Sequence, residues 1–165
     1  LATAIFPLEI YMLPLYLVAR SLGLIDNLGG VVLAYLVMSL GIFLVRQYSM
    51  TSIHDSLLEA ARVDGATEFW IFRRVALPLL RGPLGVVAVI AFFNAWTAFT
   101  WPIIILLSQN KYTLEIGMAL FQTGFTMDYG KISALATLAL IPSVAFFFLG
   151  RRAFVQGVPL TGDQD

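Results

Sequence analysis

From Leu84 to Leu107 the chain runs for about two dozen residues without a charged side chain. Wound as a helix, that run rises about 36 Å, more than the roughly 30 Å of hydrocarbon in a bilayer. Three further runs have the same character: residues 1–19, apolar except for Glu9; 28–45, closed by Arg46; and 132–150, followed by Arg151-Arg152. Backbone groups in lipid must be satisfied inside the segment that crosses it, and runs of this length do so as helices. Pro7, Pro14 and Pro142 fall within these runs, where proline is better tolerated than in soluble helices. The expected fold is therefore an all-α integral membrane protein with four spans, at 1–19, 28–45, 84–107 and 132–150.

Composition supports this and narrows the function. Of 165 residues, 59% are hydrophobic and 12% charged, against about 25% charged in soluble domains. Ten basic and ten acidic residues cancel, so no basic field invites nucleic acid. The chain has no cysteine and one histidine, His54, which leaves no thiolate or histidine-cluster metal site. It also lacks a Gly-rich phosphate loop and a nucleophile–base pair, so no catalytic residue and no bound cofactor is expected. The first residue is Leu1 and the chain enters amid apolar sequence. We read it as the C-terminal part of a longer protein.

One polar stretch, residues 52–78, interrupts the apolar pattern. Ser52 and Asp55 have capping-box spacing, which predicts a helix starting near Ile53. Leu57 to Arg62 are good helix formers, with Leu57, Leu58 and Ala61 on one face and Asp55, Glu59 and Arg62 on another. Gly65 is placed to end that helix in a left-handed conformation. Thr67 is placed to cap the next, with Glu68 in its first turn and Pro78 as its stop. Basic residues set the orientation. Arg46, Arg62, Arg73, Arg74, Arg81, Arg151 and Arg152 fall on one side of the four spans, and Arg20, Lys111 and Lys131 on the other. The more basic side is cytoplasmic, which places the 52–78 loop and the C-terminus inside the cell.

The same stretch resembles a known signature. Glu59-Ala60-Ala61, then Gly65 after three residues, Val75 after nine more, and Leu77-Pro78 are similar to the loop of membrane subunits of binding-protein-dependent ABC importers. Asp64-Gly65-Ala66 resembles the variant of the sugar-importer, maltose-type branch. Pro14-Leu15-Tyr16, Leu22-Gly23-Leu24, Gly41 to Leu44, Trp101-Pro102, Tyr112 to Leu114 and Ile141-Pro142 extend the likeness along the chain. It departs from the pattern after Trp96, where Thr97-Ala98 stands in place of an Asn and an acidic residue. It departs again in the tail, which ends Asp163-Gln164-Asp165.

The resemblance implies a type I ABC importer permease of about six spans, the first two outside this chain. It implies a cytoplasmic coupling-helix loop whose Glu59, Ala60, Ala61, Asp64, Gly65, Ala66, Leu77 and Pro78 dock a nucleotide-binding subunit that hydrolyses ATP. A second permease subunit, an extracytoplasmic solute-binding protein and a sugar-like substrate are the other implied partners. The setting is the cytoplasmic membrane of a bacterium or archaeon. An importer for an amino acid or glycerol phosphate, or an ion-driven secondary transporter, is the alternative.

Five residues are candidates for the translocation path. Glu9 lies inside an apolar run, where a carboxylate facing lipid is costly, so it either lines the path or receives the backbone donors freed near Pro7. Asn94, Trp96, Thr97 and Thr100 give one span a mixed amide, hydroxyl and aromatic character that suits sugar rings. Ordinary packing between membrane helices uses the same residue types.

Overall fold

The computed structural model describes residues 7–122 and 128–157, with side chains through 150. The first six residues of the expected first span and the divergent tail lie outside this range. Every regular element among the described residues is helical: α1 Leu8–Ser21, α2 Leu28–Leu33, α3 Ser39–Ser52, α4 Asp55–Val63, α5 Glu68–Ile71, α6 Leu77–Leu79, α7 Arg81–Trp96, α8 Thr100–Ile105, α9 Leu114–Leu120 and α10 Tyr129–Gly157. A π turn, Phe72–Ala76, links α5 to α6, and a 3-10 turn covers Gln109–Lys111.

Two compact units are built from this chain, Leu1–Met38 with Ala91–Phe146 and Ser39–Ile90 with Phe147–Asp165. The first holds a buried cluster of Ala19, Trp101, Ile105, Leu106 and Ile116. It forms because α1 ends sharply. Gly23 takes φ +69, its N–H donates to the Arg20 carbonyl, and the Leu24 N–H donates to the Ala19 carbonyl. This paired closure satisfies carbonyls that the helix end would leave bare. The Asn27 side chain then caps α2 by accepting the Gly29 N–H at 2.7 Å. Gly30 is buried there, with the Trp101 indole N–H donating to its carbonyl at 3.0 Å. A methyl group at Gly30 would strike the Leu24 carbonyl oxygen and crowd Ile105.

An aromatic stack completes this unit. Phe92 lies on Phe146 with ring centres 3.9 Å apart, and on Trp96 at 5.7 Å. In the second unit Gly150 lies so close to Val89 that an added methyl would overlap it.

The expected spans map unevenly onto helices. Residues 132–150 fall within α10, whose Tyr129–Gly150 part is the one described helix long and apolar enough to cross a membrane unaided. Its 22 residues rise about 33 Å. Residues 28–45 are divided between α2 and α3. Residues 84–107 are divided between α7 and α8, because Pro102 cannot donate to Ala98 and its ring would meet that carbonyl in a continuous helix. A bent pair, Glu68–Leu79 and Arg81–Trp96, turns through 72° between its two halves.

Candidate functional site

The 52–78 stretch folds as two helical arms around Gly65, though two of its boundaries differ from expectation. Ser52 does not cap α4. The α3 bonding pattern carries through it, with the Ile53 N–H donating to the Ser49 carbonyl, so Ser52 is helical and cannot adopt the extended conformation that an N-cap requires. The break falls at His54, whose backbone is extended and whose carbonyl accepts the Leu57 N–H, with no side-chain cap. Pro78 does not stop the second arm. The π turn before it shifts the hydrogen-bond ladder, the Leu77 N–H reaching back to the Phe72 carbonyl, and helix continues to Leu79. A wider turn of this kind accommodates the donor that proline lacks.

The corner itself forms as its residues dictate. Gly65 sits at φ +81; its N–H donates to the Arg62 carbonyl and the Ala66 N–H to the Ala61 carbonyl. These two bonds close α4 in the paired manner that needs a left-handed residue. The Thr67 hydroxyl accepts the Trp70 N–H at 3.3 Å and caps α5. Across the corner Arg62 and Glu68 form an ion pair at 2.7 Å. It holds the Glu68 carboxyl below its usual range and raises the Arg62 guanidinium. Both groups are exposed, so water and salt screen the pair and it adds little to stability.

The arms enclose a groove of about 570 Å³ lined by Leu57, Ala60, Ala61, Asp64, Gly65, Ala66, Thr67, Trp70 and Val75. Six of these, Ala60, Ala61, Asp64, Gly65, Ala66 and Val75, belong to the signature identified above. Glu59, Leu77 and Pro78 lie outside the lining. No residue of α4 is buried. A nine-residue helix is marginal in water by itself, and this one packs no face deeply against its own chain. Val63 and Phe69 are 87% and 71% exposed beside the groove.

The path candidates are placed separately. Glu9 lies in the first turn of α1, exposed; among the described residues no hydrogen bond joins it to Asn94, Trp96, Thr97 or Thr100. Asn94 is exposed on α7. The Trp96 ring stacks on Phe92, and its N–H donates to the Ala139 carbonyl at 3.2 Å. The Thr97 hydroxyl donates to the Phe93 carbonyl at 2.8 Å, and Thr100 is the exposed first residue of α8.

One residue that sequence reasoning passed over is heavily engaged. Asp26 lies in the turn between α1 and α2, and it holds Ser108 and Lys111, more than 80 positions along the chain. An Asp-Asn pair before two glycines marks a turn; nothing local marks its partners.

Every regular element among the described residues is helical, and comparison with known proteins bears on the family. The structure aligns with a chain from the crystal structure of a bacterial ABC transporter involved in the import of the acidic polysaccharide alginate. The TM-score is 0.70 at 24% identity, covering 89% of this chain and 59% of that one. In sequence it is 35% identical over 156 residues to the arabinooligosaccharides transport system permease protein AraQ of Bacillus subtilis (94% of this chain, 55% of the relative). It is 34% identical over 158 residues to the sn-glycerol-3-phosphate transport system permease protein UgpE of Salmonella typhimurium (94% and 56%). The chain thus spans a little over half the length of these relatives. Residues 2–158 match the family described as the binding-protein-dependent transport system inner membrane component, and the chain belongs to that family.

Proposed function

We propose that this chain is part of the permease subunit of an ATP-driven importer that carries a sugar or related solute across the cytoplasmic membrane by alternating access. The observation that carries the reading is the groove lined by six signature residues, two of which, Ala60 and Ala61, lie on an α4 that buries none of its own residues. A short amphipathic helix left open in this way suits a protein partner, and the partner here is the nucleotide-binding subunit. ATP is bound and hydrolysed there, and this chain holds no cofactor of its own. Closure of the ATPase pair moves α4, and the motion passes through the Gly65 corner and the π turn into α7. A second permease subunit and an extracytoplasmic solute-binding protein complete the assembly. The spans at 1–19, 28–45, 84–107 and 132–150 cross the bilayer, with the 52–78 loop and the C-terminus in the cytoplasm. Asn94, Trp96, Thr97 and Thr100 face the solute path with Glu9, and the Trp96 N–H also ties α7 to α10 at the Ala139 carbonyl.

The test places a single cysteine at Ala61 in the full-length, otherwise cysteine-free permease, within the intact complex. Oxidative cross-linking to single cysteines in the ATPase docking cleft is followed with and without ATP. A nucleotide-sensitive cross-link is expected; none, with the complex intact, removes the importer reading. A second reading of the substrate has its own support, since relatives named for sn-glycerol 3-phosphate match about as well as those named for arabinooligosaccharides. Uptake of labelled arabinooligosaccharide and of labelled glycerol 3-phosphate by the complex, with its own binding protein, separates the two.

A further inference from the structure

Asp26 is the most heavily bonded polar residue outside the 52–78 loop. One carboxylate oxygen accepts the Leu107 and Ser108 N–H groups, each at 2.9 Å. The other accepts the Ser108 hydroxyl at 2.6 Å and the Lys111 ammonium at 2.9 Å. Its backbone is used as fully. The carbonyl accepts Lys111 Nζ at 2.6 Å, and the N–H donates to the Ile105 carbonyl at 2.8 Å. The residue sits at φ +53, the one described position other than glycine with a positive φ. A side chain pays strain in that region unless its surroundings hold it there.

With both oxygens occupied and the nearest cation already paired, the carboxylate has no vacancy for a solute. What it does is join two distant stretches of chain, the 22–30 turn and the 105–111 segment. The packing behind it joins the same two stretches: Trp101 bonds to the Gly30 carbonyl, Gly30 has no room for a methyl group against Leu24 and Ile105, and Ile105 and Leu106 are fully buried. Sliding one stretch past the other would break these contacts together. Packed junctions of this kind hold one arrangement or jump to another, and do not deform gradually.

We propose that Asp26 is a positioning residue that fixes the 105–111 segment to the 22–30 turn, and that this corner moves as one body while the transporter changes state. The proposal rests on the importer reading only for the states it compares.

The test uses spin labels at Leu22→Cys and Asn110→Cys, two exposed positions flanking the junction, in the intact complex of the full-length protein. Electron–electron distances are measured without nucleotide and after trapping with ATP and vanadate. The expected result is one narrow distance distribution, the same in both states. A shift or a second population on trapping overturns the one-body motion. In the same labelled background Asp26→Ala is expected to broaden the distribution, and an unchanged width overturns the positioning role. If that variant does not assemble, Asp26→Asn decides the point. It keeps an acceptor for the two N–H groups but turns an amide donor toward Lys111, so broadening is again expected and an unchanged width again overturns the role. The Ala61 cross-link, run on the same complex, separates the readings: if it responds to nucleotide while the corner distance shifts, only this inference falls. If it is absent, the importer reading falls.

Discussion

The corner around Asp26 and the loop around Gly65 use much the same turn chemistry to opposite ends. Each has a helix closed by a glycine at positive φ, a polar residue capping the next helix, and an ion pair with a basic partner. At the corner these devices sit on a buried cluster of Trp101, Ile105, Leu106 and Ile116, and the donors and acceptors find partners within the chain. In the loop they hold up a helix with no buried residue, and the space between its arms is open. Local signals fold both regions, but in the loop only Ile71 of α5 is buried and α4 buries nothing. A region that is well formed yet unburied is built to meet something else.

Two glycines offer the sharpest way to break this contrast. Gly30 is required by packing, because a methyl group there meets a backbone carbonyl. Gly30→Ala should cost about 3 kcal/mol, the upper range for overpacking, and lower the melting temperature of the purified complex. Retained stability would show that the corner can yield, and would weaken the case for a rigid junction. Gly65 is required by conformation, since a methyl group there meets nothing within 4 Å but must adopt φ +81. Gly65→Ala should cost only about 1 kcal/mol locally. Assembly should persist while ATP-dependent uptake falls several-fold, and unchanged uptake would mean that the corner does not carry the coupling motion.

The smallest effect is in pH. Asp26 and Glu68 are both held below their usual range, Asp26 by the Ser108 hydroxyl, Lys111 and the Ser108 N–H, and Glu68 by Arg62. A carboxyl with a depressed folded pKa contributes stability that is present above its unfolded value, about 4, and is lost as pH falls through the folded value. Both contributions should therefore be complete at neutral pH and fail only in acid. Asp26 is displaced further and should be the last to protonate. Carboxyl carbon shifts of the two residues, followed by NMR as the pH is lowered, would show the order. Glu68 protonating after Asp26 would reverse the ranking of the two regions.

Much of the loop was legible because its interactions are short in sequence. Gly65 closes a helix that begins at Asp55, and Thr67 caps a residue three positions on; the Arg62–Glu68 pair, six positions apart, was not foreseen. The errors were local too. The capping-box pattern at Ser52 could not reveal that α3 extends through it, and Pro78 looked like a stop because a π turn leaves no composition signal. At the corner the opposite holds. Trp101 reaches Gly30 across 71 positions and Lys111 reaches Asp26 across 85.

What the amino-acid order determined by itself was the helical membrane character, from long runs almost free of charge, and the form of the 52–78 loop, from residues that act on their near neighbours. Only the tertiary structure decided that α4 stays unburied, that six signature residues line one groove, that Trp96 is tied to Ala139, and that Asp26 clasps a distant segment. Each of these depends on which surfaces meet in space, and turn chemistry and hydropathy carry no record of that.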